Sequence, residues 1–90
     1  MKSSVHIVVT GRVQGVYFRA NAQKQAVALG LTGYVRNLES GEVEIVCTGE
    51  RLQVDSLIKW CHKGPLLAKV IRVKVSHISL DNRFVDFEIR

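Results

Sequence analysis

The sequence predicts a two-layer α/β sandwich of the ferredoxin-like kind, an antiparallel sheet with two helices on one face. Three observations predict it. Apolar residues alternate with polar ones in short stretches, the pattern of half-buried strands. Two longer stretches carry apolar residues at helical spacing instead. The two patterns follow one another as βαββαβ with a short fifth strand at the end. A helix with one apolar stripe cannot bury itself, so both must lie on the sheet.

Each element has its own signal. Residues 5–11 form the first strand, with Val5, Ile7 and Val9 inward. A glycine-containing loop, 12–18, leads to a helix over 19–29. There Ala22, Ala26 and Leu29 keep helical spacing and Gly30 is a natural stop. Residues 31–38 are a second strand, and Glu39, Ser40 and Gly41 make a hairpin turn. The third strand, 42–48, sets Val43, Ile45 and Cys47 against Glu42 and Glu44. In the second helix, 50–63, Val54, Leu57, Ile58 and Cys61 form one stripe, ended by Gly64 and Pro65. The fourth strand, 69–79, places Ile71, Val73 and Val75 opposite Arg72 and Lys74. Asp81, Asn82 and Arg83 turn the chain into a short last strand, where Val85, Phe87 and Ile89 alternate with Asp86, Glu88 and Arg90.

The 90 residues suit a single domain over 1–90, and 47% hydrophobic content suffices for its one modest core. Disorder is excluded by the wealth of Val, Ile and Leu and by mixed charge. The net charge of +5 is spread along the chain. It suits nucleic acid, an acidic membrane surface or a phosphorylated metabolite, and equally serves solubility alone. Cys47 and Cys61 fall on apolar phases, which predicts buried thiols and leaves a disulfide open. His6, His62 and His77 share no metal-ligand spacing, so no metal and no cofactor are expected. The start of the chain is too short in apolar residues for a signal peptide, and no run approaches the ~18 apolar residues of a membrane span. A cytoplasmic protein is expected.

The informative segment is GRVQGVYFR, residues 11–19. It joins a strand to a helix, so its backbone N–H groups belong to no ladder. Gly15 can adopt a left-handed conformation that turns several of them to one point. The helix start adds free N–H groups and the positive end of the dipole. Arg19 is electrostatically misplaced in that first turn unless an anion sits there, and its guanidinium fork matches two phosphate oxygens. An exposed surface arginine is an equal reading. Tyr17 can rim such a site, and Phe18 reads as a core anchor.

The second segment is YVRN, residues 34–37. A right-handed crossover runs its strand parallel to the first, so both end at the same edge of the sheet. Asn37 can then meet the loop. Its carboxamide both donates and accepts, and can aim a water; it also suits a plain turn residue.

Together these residues resemble the acylphosphatase family. GRVQGVYFR, then LGLTGYVRN at 29–37, GEVE at 41–44 and Gly64-Pro65 match its signature segments in order and spacing over essentially the whole chain. The one departure is a Ser-Gly turn where Asp-Gly or Asn-Gly is usual. The resemblance implies a free-standing, monomeric, metal-independent enzyme. It implies that the phosphate is bound by Arg19 with the backbone N–H groups of Gln14, Gly15, Val16, Tyr17 and Phe18. It implies that Asn37 positions the attacking water, so that Arg19 and Asn37 are the catalytic pair. The partners expected are a small acyl phosphate and the product inorganic phosphate, with neither nucleic acid nor membrane.

Acyl phosphates make few demands. The leaving carboxylate has a conjugate acid of pKa ~4 and departs unprotonated. Positioning and charge stabilisation are then the protein's whole task. Three rivals are weaker. An RNA-binding domain of the same element order needs aromatics on its third strand, and GEVEIVCTG has none. A non-catalytic anion sensor has no use for Asn37. A carbamoyl-phosphate-handling module sits at the front of much longer chains with zinc-binding segments.

Overall fold

The computed structural model describes residues 1–79 and 84–90. Five strands and two helices follow in chain order: β1 (Lys2–Arg12), α1 (Phe18–Ala28), β2 (Thr32–Asn37), β3 (Val43–Glu50), α2 (Arg51–Lys63), β4 (Lys69–His77) and β5 (Phe87–Ile89). The expected order is the observed one, with boundaries moved by a few residues. The turn expected at Asp81, Asn82 and Arg83 lies outside the described residues.

The strands form one sheet in the order β4-β1-β3-β2-β5. β1 and β2 flank β3 antiparallel, and therefore run in the same direction without touching. Their C-terminal ends lie at one edge, as the crossover argument requires. The three pairs among β4, β1, β3 and β2 are antiparallel. The fifth corrects the expectation of a wholly antiparallel sheet: β5 joins β2 in parallel, with Gly33 opposite Phe87 and Val35 opposite Ile89. Three bonds tie this short strand down. Gly33 N–H donates to Asp86 O (2.9 Å), Arg90 N–H to Val35 O (2.9 Å), and Gln23 Nε2 to Phe87 O (2.8 Å).

One core lies between sheet and helices. Val5, Ile7 and Val9 of β1 and Val43, Ile45 and Cys47 of β3 are buried in it, the alternation read from the sequence. Ala22 and Ala26 from α1 meet Val54, Leu57 and Cys61 from α2, with Leu29 and Ile58 packed at the margin. α1 lies on β2 and β5, α2 on β4, β1 and β3, and the helices touch.

Two apolar expectations fail for physical reasons. Ile71, expected inward, is 81% exposed. Thr10 pairs with Arg72 but Gly11 with Val70, so Ile71 is the extra residue of a β-bulge and the phase of β4 flips there. Val70 takes its place against the core. In the last segment only Phe87 is fully inward; Val85 precedes the strand and is 92% exposed.

Candidate active site

The loop between β1 and α1 is held from below by apolar anchors. Val13, Val16 and Phe18 are buried, and the Phe18 ring meets Trp60 with centroids 5.2 Å apart. Between these anchors two residues turn left-handed, Gly15 (φ 75°) and Tyr17 (φ 64°). Tyr17 is the N-cap of α1, yet its side chain makes no capping bond, and the first turn holds no acid. Among the described residues, the amides from Gln14 to Ala20 donate no backbone hydrogen bond, while Asn21 N–H already reaches Tyr17 O. A run of N–H groups and a helix N-terminus are thus left without an internal acceptor, which favours an anion.

Arg19 stands exposed in that first turn, and among the described residues it pairs with no carboxylate. Asn37 ends β2 half-buried at the same edge of the sheet. One cavity of about 390 Å³ joins them: Gly15, Tyr17, Phe18 and Arg19 line it on the loop side, and Asn37 on the strand side. Five of the seven residues predicted for the site therefore meet in one place.

Gln14 and Val16 do not line the cavity. Val16 is an anchor. The Gln14 side chain turns away and donates from Nε2 to Leu38 O (2.7 Å) and Glu42 O (2.8 Å), bolting the loop to the β2–β3 turn that follows Asn37. Three lining residues escaped the sequence reading: Val13, Ala20 and Ile89. Val13 and Ala20 lie within or beside the 11–19 motif and follow from it. Ile89 comes from β5 and had no local signal, because its place depends on the parallel pairing with β2.

The lining contains no His, Asp, Glu, Cys or Lys. Among the described residues, no group of three or more His, Cys, Asp or Glu could hold a metal ion. No described helix is long and apolar enough to cross a membrane. Both cysteines are buried free thiols, and burial pushes each up to about 12.

Comparison with known proteins decides the family. The sequence profile described as Acylphosphatase matches residues 5–89. The chain belongs to the acylphosphatase family. The acylphosphatase of Methylococcus capsulatus is 47% identical over 94% of this chain and 92% of its own, and that of Marinobacter nauticus 50% over 91% and 89%. The solved acylphosphatase of Coxiella burnetii superposes with a TM-score of 0.94 at 40% identity, covering 99% of this chain and 93% of its own. The fold, including the placement of β1 and β2 around β3, is the acylphosphatase fold.

Proposed function

We propose that this acylphosphatase holds the phosphoryl group of an acyl phosphate between Arg19 and the amides of residues 14–18, and aims water with Asn37. The protein hydrolyses the carboxyl–phosphate bond, giving a carboxylate and inorganic phosphate. The observation that carries the residue roles is the single cavity in which Gly15, Tyr17, Phe18, Arg19 and Asn37 come together.

The chemistry follows from that lining. The guanidinium and the amides stabilise charge spreading over the phosphoryl oxygens, preorganised and with no proton to move. Water on Asn37 attacks phosphorus; the new P–O bond forms as the bond to the acyl oxygen breaks, and the electron pair leaves with the carboxylate. With no carboxylate or imidazole lining the cavity, a phosphate oxygen of the substrate takes the water proton. The rate is then flat between about pH 5 and 8, and a step near the ~6.5 of free histidine counts against this route.

The reading further holds that residues 1–90 act as one acylphosphatase-like domain, a cytoplasmic monomer that needs no metal. Hydrolysis of benzoyl phosphate in EDTA tests the metal requirement, and sedimentation of the same sample tests the oligomeric state. Arg19→Ala loses phosphate affinity and turnover together. Asn37→Ala loses about 10²–10³ in kcat, the cost of a preorganised donor, while inorganic phosphate still inhibits it. Wild-type kcat in Asn37→Ala removes its role.

A further inference from the structure

The phosphate cavity ends at Tyr17, and a second recess begins on the far side of the same residue. That recess, about 320 Å³, is lined by Val16, Tyr17, Asn21, Pro65, Leu66 and Leu67. Tyr17 is common to both. Asn21 Nδ2 donates to Tyr17 O (2.9 Å) and steadies the shared wall. Val16 is the buried part of the lining, while Leu66 is 98% exposed, Tyr17 73% and Leu67 60%. Tyr17, Leu66 and Leu67 thus stand exposed together in a recess next to the phosphate cavity, and none of the three belongs to the core.

The sheet order supplies a direction. The phosphate loop continues β1, Asn37 ends β2, and Leu66 and Leu67 lie in the connection that feeds β4. Because the order is β4-β1-β3-β2-β5, the loop lies between Asn37 on one side and the leucines on the other. In-line displacement at phosphorus places the entering and leaving oxygens on opposite sides. Water held at Asn37 therefore sends the carboxylate, and the acyl group behind it, toward Tyr17, Pro65, Leu66 and Leu67.

We infer that this recess is the acyl-group subsite, and that the enzyme prefers acyl phosphates whose acyl group is bulky and apolar, aromatic or branched. No charged side chain lines the recess, so an acyl group with a second anionic charge gains nothing there. The inference rests on the roles proposed for Arg19 and Asn37, and the test separates the two.

Benzoyl and acetyl phosphate carry the same phosphate and differ in the acyl group. Their kcat/KM values are compared in wild type, in Leu66→Ser/Leu67→Ser and in Leu66→Met/Leu67→Met. Both leucines are exposed, so the fold is retained, and inhibition by inorganic phosphate checks that the phosphate cavity is intact. Wild type favours benzoyl phosphate, the serine pair lowers the benzoyl-to-acetyl ratio about tenfold, and the methionine pair restores most of it. A ratio unmoved by the serine pair overturns the subsite and leaves the phosphate site standing. A wild type that hydrolyses neither substrate overturns both.

Discussion

Tyr17 adopts a left-handed backbone that costs an ordinary residue about 1–2 kcal/mol. Its neighbours explain why it stays there: Val16 and Phe18 are both buried, so the chain between them has little freedom to relax. The strain lies at the cavity that Tyr17 lines together with Arg19 and Asn37. Glycine solves two different problems nearby. Gly15 also has positive φ, but a β-carbon there meets nothing. A β-carbon on Gly11 would collide with the Lys69 carbonyl oxygen across the bulge. Gly15→Ala should therefore cost about 1 kcal/mol of stability, and Gly11→Ala about 3 kcal/mol, since backbone must move. Urea unfolding of the two variants checks the order; equal losses would mean that the bulge yields easily.

At the scale of elements, the site depends on a side-chain bolt that lies outside the cavity. Gln14 bridges the β1–α1 loop to the β2–β3 turn through two carbonyl oxygens. Gln14→Ala leaves both oxygens without this donor, a loss of about 1–2 kcal/mol in stability. Because the loop and Asn37 then lose their common reference, kcat falls more than KM rises, which steady-state kinetics on benzoyl phosphate will read. A change in KM alone would place the Gln14 side chain in binding instead.

Three strands are also joined on the sheet face away from the helices. Glu44 of β3 accepts from His6 Nε2 of β1 (2.8 Å), Tyr34 Oη of β2 (3.3 Å) and Arg36 Nε of β2. Partial burial pushes the Glu44 carboxyl up, but the bonds from Arg36 and His6 outweigh it and hold the carboxyl below its ordinary 4.5. A lowered folded value means stability that is present above pH 4.5 and lost as the pH falls through the folded value. Glu44→Gln should flatten the acid limb of stability against pH and leave a smaller difference between neutral and acid. An unchanged acid limb would show that the network contributes nothing to folding. The edge strand β4 has a different device: the bulge at Ile71 and the cations Lys69, Arg72 and Lys74 discourage pairing with another sheet.

For the molecule as a whole, stability comes from one core shared by sheet and helices, and the two thiols belong to it. Cys47 and Cys61 are fully buried. With each thiol pushed up to about 12, almost no thiolate exists at neutral pH. Native protein should react with a thiol-specific disulfide reagent only as fast as it opens, and unfolded protein should titrate two thiols at once. Fast reaction of the native protein would mean that the face between α2 and β3 opens locally.

Much of this architecture was legible residue by residue. The alternation of Val5, Ile7 and Val9 and the stripe of Val54, Leu57 and Cys61 are local periods, written in the order of the residues themselves. For the GRVQGVYFR loop and Asn37, local chemistry left a surface arginine and a plain turn residue as equal readings, and only the resemblance of the whole motif to the acylphosphatase family singled them out as a site. By itself the sequence thus determined the element order and the core face of most elements. Three features were decided only by tertiary structure. The bulge that turns Ile71 outward arises from the register of β4 on β1. The parallel seat of β5, which brings Ile89 to the cavity, arises from pairing with β2. The diversion of the Gln14 side chain from the cavity to Leu38 and Glu42 needs the β2–β3 turn beside it. Each is a contact between residues far apart in the chain, and a period of two or of 3.6 residues carries no information about such partners.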